Sequence, residues 1–235
     1  MNFDSYTDQG VEAAAELVNR LTPGFDRGRA RAVPLEAAGR GQLATAAETS
    51  IWGVGSELSA QDAEGLFALA SRLRTVFEAA ALADAELAAT TVNTLLQDYH
   101  AAPQLARHDG EPWHLHFQSQ EKEAGRARAR GATCATALAI VIGSQGMRRM
   151  GICHANRCDR VYIDTSRNGS RHFCSSSCLS RQKVAAFRAR RSPVEVPGPP
   201  RSAFPAPNPA GPGGADRSLE RRGPDPGQVA ERGPA

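Results

Sequence analysis

No stretch of the 235 residues approaches ~18 uninterrupted apolar side chains, so the chain is not expected to span a membrane. Met1 to Gly10 is polar and acidic, without a basic start or an apolar run, so no secretory signal is expected and a cytoplasmic location is. There is no Gly-rich phosphate loop and no nucleophile–base motif, which argues against an enzyme. Lysine is nearly missing, with two in the whole chain, and cysteine is sparse, with five.

The cysteines that are present are concentrated. Cys153, Cys158, Cys174 and Cys178 fall within 26 residues as C-x4-C and C-x3-C pairs separated by fifteen residues. A thiolate is a soft ligand, and four of them satisfy a tetrahedral Zn²⁺ with no position left open for water. The spacing therefore predicts one structural zinc ion. Two disulfides are the rival arrangement, but closely paired cysteines in a cytosolic chain favour metal. His154 and His172 each adjoin a ligand cysteine and are candidate substitutes, although both pairs are complete without them. The fifth, Cys134, lies in the apolar segment Ala132 to Ile142 and reads as a small buried thiol.

Charge is also concentrated. Residues 1–145 carry 12 basic and 18 acidic side chains, a net −6, and residues 146–192 carry 11 and 2, a net +9. Residues 193–235 balance at five each, so the overall +3 hides a dense basic module on the cysteine-bearing segment. That is the electrostatic footprint of a polyanion partner. An ordinary solvated surface is the plainer alternative, but nine excess charges in 47 residues repel one another unless something is gained. The bias to Arg suits bidentate contact with phosphate or guanine edges. A GC-rich genome gives the same bias, so charge carries the argument more than residue type does.

These shifts divide the chain into a helical domain at 1–145, a zinc module at 146–192 and a tail at 193–235. The tail holds 11 of the 15 prolines and 7 of the 22 glycines, with one Phe, and is expected to be disordered. Upstream, Val11 to Leu21 places Ala14, Leu17, Val18 and Leu21 at helical spacing, and Gly39 to Trp52 is a second candidate helix. Ser59 followed by Asp62 resembles a capping box opening a third, with Leu66, Leu69, Leu73, Val76 and Phe77 on its apolar face. Glu86 to Tyr99 supplies a fourth, with Leu87, Val92, Leu95, Leu96 and Tyr99. Trp113, Leu115 and Phe117 then alternate with His114 and His116, which predicts a strand hairpinned at Asp109-Gly110 onto Gln104 to Arg107. The two histidines are either half of a metal site or the solvent side of that hairpin, and no third ligand is visible nearby. A long helix from Glu121 to Ser144 follows.

Cys153 to Cys158 is expected to form a knuckle whose backbone N–H groups donate to sulfur. Asp159 to Thr165 reads as a strand, Asn168-Gly169 as a two-residue turn, and Ser170 to Phe173 as the returning strand. Ser175 or Ser177 is placed to cap a helix starting near Cys178. The fold class is thus a mainly α domain with a short β-hairpin, then a small treble-clef-like zinc finger and a disordered tail. Such a finger is too small to hold a core alone, so zinc binding is expected to supply its folding energy. Arg157, Arg160 and Arg171 are expected to offset the net −2 of four thiolates around Zn²⁺. On the helix, Leu179, Val184 and Phe187 are expected to pack on the hairpin, with Arg181 and Arg188 on the opposite face and Lys183 and Arg190 flanking.

The run Cys153…Cys158…Asp164-Thr-Ser166-Arg167-Asn168-Gly169-Ser170-Arg171-His172-Phe173-Cys174…Cys178…Arg181-Gln-Lys183…Arg188-Ala-Arg190 resembles the CGNR zinc finger family across about residues 150–191. That family has a D-x-S-R-N-x-S-R hairpin between its cysteine pairs and a Cys-Gly-Asn-Arg opening to its helix. Here the tetrad reads Cys178-Leu179-Ser180-Arg181, so Ser180 stands where the family has Asn, which bears on base specificity. Leu17-Val18-Asn19, Leu73-Arg74, Val92-Asn93-Thr94-Leu95 and Trp113 to Phe117 also resemble segments of the family's companion ABATE domain, more loosely. The resemblance implies a bacterial, stress-linked transcription regulator that binds DNA through the finger. Arg181 and Arg188 are the candidates for groove contacts, Arg167 and Arg171 for phosphate, and Lys183 and Arg190 complete the basic set. The N-terminal domain would sense a signal of unknown chemistry or form a homodimer. Asn19, Asn93 and Trp113 would line any pocket it has, unless they are structural. The other readings are a module docking an acidic protein, and a thiol switch in which oxidation ejects zinc.

Overall fold

Burial of apolar stripes at helical spacing accounts for most of the architecture. The computed structural model describes residues 5–107, 113–119, 125–166 and 168–191, all within one compact unit. The tail at 193–235, the Asp109-Gly110 turn and Arg167 lie outside the described residues. Helix α1 (Ser5–Leu21) buries Val11, Ala14, Leu17, Val18 and Leu21. A tight hairpin follows, β1 (Gly24–Asp26) antiparallel to β2 (Arg29–Arg31), with Asp26 opposite Arg29. Its two loop residues, Arg27 (φ +51°) and Gly28 (φ +94°), are both left-handed, as a type I′ turn needs. This turn carries little signal in the sequence, because Arg replaces the usual Asn or Asp.

Helix α2 (Ala37–Trp52) ends on Gly53 in the left-handed conformation. Helix α3 (Ala60–Ala81) starts as predicted: the Ser59 hydroxyl accepts from the Asp62 N–H at 3.0 Å, and Leu66, Leu69, Leu73, Val76 and Phe77 are all buried. Helix α4 (Ala85–Asp98) is capped by Asp84, which accepts from the Leu87 N–H at 3.0 Å. Val92 and Leu95 are buried on α4, but Leu87 is exposed. It stands five residues before Val92, about 140° around the helix from the core face.

Strands β3 (Ala101–Ala106) and β4 (His114–Ser119) form the predicted hairpin, running from Ala101 opposite Ser119 to Ala106 opposite His114. His116 sits opposite Gln104. Trp113 is exposed, with the Arg107 guanidinium 5.5 Å over its ring. Helix α5 (Arg126–Gln145) runs through the centre, burying Ala135, Leu138 and Val141. A Cβ on Gly65 would lie 2.7 Å from the Ala127 Cβ, so only glycine permits this approach of α3 to α5. Cys134 is wholly buried on α5, and burial pushes its thiol up to about 12, so it stays protonated at neutral pH.

A 3₁₀ turn (Met147–Arg149) leads into β5 (Met150–Ile152), which pairs antiparallel with β6 (Val161–Ile163), Met150 opposite Ile163. Helix α6 (Ser176–Arg191) completes the described chain. The expected pairing of Asp159–Thr165 with Ser170–Phe173 is therefore corrected. The strand pairs with the segment before the first cysteine, and residues 170–173 are irregular. Physically, β5 brings an apolar edge, Met150 and Ile152, whereas Ser170 to His172 is polar and close to the metal ligands.

Met150, Val161 and Ile163 belong to the main core, together with residues of α1, α3 and α5. One buried side chain ties this seam together. The Asn19 amide on α1 donates to the Val161 carbonyl at 3.0 Å and accepts the Val161 N–H at 2.9 Å, as a neighbouring strand would. Asn19 is thus a structural residue. Asn19→Ala leaves two buried backbone groups without partners and should lower stability by about 2–4 kcal/mol, measured by urea unfolding of the zinc-loaded chain.

Candidate metal centre and basic helix

The two cysteine pairs reach one point from opposite sides of the finger. Cys153 and Cys158 lie in the loop that joins β5 to β6, closed by the Cys153 N–H donating to the Arg160 carbonyl at 2.9 Å. Arg157 takes a left-handed φ of +52° there, giving the knuckle its sharp turn. Cys178 lies in the first turn of α6, where its N–H donates to the Ser175 hydroxyl at 3.4 Å, so Ser175 is the cap. Cys174 immediately precedes that cap, and its N–H donates to the Cys153 sulfur at 3.4 Å.

All four sulfurs lie within 4.8 Å of one another. The Cys158–Cys174, Cys174–Cys178 and Cys178–Cys158 separations are 3.8, 3.7 and 3.7 Å. A tetrahedron with Zn–S bonds of about 2.3 Å has edges of about 3.8 Å, so the donor set fits one zinc ion. The thiols do not ionise alike: at Cys178 burial is outweighed by hydrogen bonds with Ser175 and the other cysteines, which lower it, whereas two others are raised. Burial, and then the neighbouring Cys153 and Cys158 sulfurs, push the Cys174 thiol far up, and burial also raises Cys153. A bound divalent ion reverses that penalty and holds the sulfurs as thiolates. His154 and His172 are exposed and stack on each other, 5.2 Å between ring centres, apart from the sulfur cluster. Asn93 is exposed on α4, whereas Asn19 is buried on α1.

Around the sulfurs, a second set of residues shapes the loop between the pairs. Asp164 is buried, and its carboxylate accepts from the Ser166 N–H at 2.9 Å and the Arg171 N–H at 2.7 Å. Burial pushes its pKa up, but these hydrogen bonds and the nearby Arg149 guanidinium outweigh that and hold it below the usual carboxylate range. Arg171 donates to the carbonyls of Phe173 at 2.9 Å, Ile163 at 3.0 Å and Cys174. Buried Arg149 donates to the Asp164 and Ser166 carbonyls from the other side. Asp164 has a local signal, since an Asp carboxylate commonly bonds the N–H two residues on as an Asx turn. The burial of Arg149 has no comparable sequence signal.

The charge partners differ from those expected. Arg160 is engaged by Glu16 at 3.0 Å and Asp26 at 3.2 Å, and Arg157 lies 5.1 Å over the Phe25 ring. Arg181 places Nη1 3.9 Å from the Cys178 sulfur, and Arg27 at the tip of the β1–β2 hairpin has its pKa raised chiefly by Asp26 and further by Cys174 and Cys178. That hairpin is seated on the knuckle: the Gly28 N–H donates to the Arg157 carbonyl at 2.7 Å, Phe25 N–H to Asp159 at 2.9 Å, and Asp159 N–H to the Phe25 carbonyl at 3.1 Å.

Helix α6 also departs from expectation. Leu179, Val184 and Phe187 are exposed rather than packed on the hairpin. The hairpin's apolar residues are already taken up by the helical core, so they offer α6 no surface. Arg181 donates to the Asn156 carbonyl at 3.0 Å and Gln182 to the His154 carbonyl at 3.0 Å, which fixes the start of the helix on the knuckle. Arg188 is not opposite Val184: four residues apart, they share a face and line one open groove with Arg181. Lys183, Arg188 and Arg190 are all exposed.

Residues 149–191 match the family model of the CGNR zinc finger. No curated protein matches the chain. The match covers the metal-binding segment, which is a zinc finger with four cysteine ligands for one zinc ion.

The purified chain should contain one zinc per molecule by elemental analysis. Cys174→Ser should lose it, whereas Cys134→Ala, remote from the cluster, should retain it in full.

Proposed function

We propose that the zinc finger binds DNA and that the chain is a transcription regulator, with the helical body sensing a signal or forming a dimer. One observation carries it. Helix α6 contains no Asp or Glu, and Lys183, Arg188 and Arg190 are exposed on it within a segment of net charge +9. A polyanion is the partner that such a surface recruits, through phosphate contacts and release of counterions. Arg171 and Arg181 act mainly inside the finger, as organisers of the loop and the knuckle, and give the exposed set a rigid base. The zinc has a structural role in this scheme, since four sulfurs leave no open coordination position for a reacting water. The looser likeness of residues 1–145 to the ABATE domain supports a stress-sensing role for the body.

A second function, docking of an acidic protein, is favoured by one feature, the exposed apolar residues of α6. It predicts capture of a protein after nuclease treatment, and no affinity for nucleic acid.

The zinc-loaded chain should bind duplex DNA with an affinity that falls steeply with salt, read by fluorescence anisotropy across a salt series. Replacing Lys183, Arg188 and Arg190 with Gln should flatten the log–log slope by about 0.9 for each phosphate that is no longer neutralised, with zinc content unchanged. A salt-independent or absent affinity would rule the function out.

A further inference from the structure

Val184 and Phe187 leave 48% and 51% of their surface exposed on a helix whose charged side chains are all basic. Every residue from Lys183 to Arg190 is exposed, about two turns at the end of α6. Val184 and Arg188 are neighbours on one face and line the same groove as Arg181 and Asn156. Phe187 follows Val184 by three residues and extends that face.

Apolar surface left in water is unfavourable, so this pair calls for a cover. A second copy of the helix is a poor one, because it would bring two basic faces together with no acidic residue on either. Charge complementarity selects an anionic partner, and the apolar pair selects one that has an apolar feature between its anionic groups. The major groove of DNA is about 12 Å wide, admits an α-helix, and presents the C5-methyl group of thymine between its phosphate rows.

We infer that α6 lies in the major groove with Val184 and Phe187 against thymine methyl groups, while Lys183, Arg188 and Arg190 contact the flanking phosphates. The proposal rests on the DNA-binding function above and adds the base feature that is read. It also gives the finger a source of sequence preference at a helix whose opening tetrad has Leu179-Ser180 in place of Gly-Asn.

The test compares one random-sequence duplex pool synthesised with thymidine and again with deoxyuridine, which lacks only the methyl group. The zinc-loaded full chain should bind the deoxyuridine pool about fourfold more weakly for each methyl buried. Val184→Ala and Phe187→Ala, both at exposed positions, should abolish that difference while keeping zinc and salt-dependent binding. Arg188→Gln should weaken binding to both pools alike. Salt-dependent binding that is indifferent to the methyl group overturns the proposal and leaves the DNA-binding function standing. Absence of binding to either pool overturns both, and assigns the apolar face of α6 to a protein partner.

Discussion

Four sulfur atoms held within 4.8 Å of one another, three of them in buried residues, set the terms for everything around them. Without a cation, burial and mutual repulsion oppose ionisation at Cys174, and burial opposes it at Cys153. With a divalent cation at its centre the same cluster becomes a cross-link among three pieces of chain: the β5–β6 loop, the segment before α6, and the first turn of α6. The orientation of α6 follows from that cross-link, since Ser175, Cys178, Arg181 and Gln182 all fix its first turns on the knuckle. The later turns of the helix, from Lys183 to Arg190, remain exposed, which suits a surface meant to meet another molecule.

The metal is not the only source of order in the finger. Asp164 and Arg171 tie the inter-pair loop through backbone groups, with Arg149 bracing the same loop from beneath. Three polar side chains, each saturating carbonyl or N–H groups, replace the second strand that the loop lacks. This assigns a structural meaning to the Asp and the final Arg of the D-x-S-R-N-x-S-R run.

What can be read from sequence is what depends on local chemistry. Thiolate spacing identifies the ligands, helical periodicity finds the five helices of the body, Ser59 marks a helix start, and Asp109-Gly110 lies between two strands that do pair. What cannot be read depends on distant partners. The β1–β2 hairpin lacks a strong turn signal, and its seat on the knuckle joins Phe25 to Asp159 across more than a hundred residues. The same holds for the strand opposite β6: Met150 and Ile152 prevail over Ser170 to Phe173 because they reach an apolar core that only the assembled helices provide. Leu179, Val184 and Phe187 have the spacing of a buried face, but spacing does not reveal whether a surface remains available to bury them.

Asn19 has a wider consequence. By completing the hydrogen bonds of Val161 it makes a helix near the start of the chain serve as a strand of the metal-binding module. Modules of this kind are often pictured as beads that evolution can cut from one protein and splice into another. This one is not separable in that way: excision at its upstream edge would strip Val161 of its pairing and bare Met150 and Ile163 to water. The finger and its helical body must therefore change together, each residue in the seam constraining what its counterpart can become.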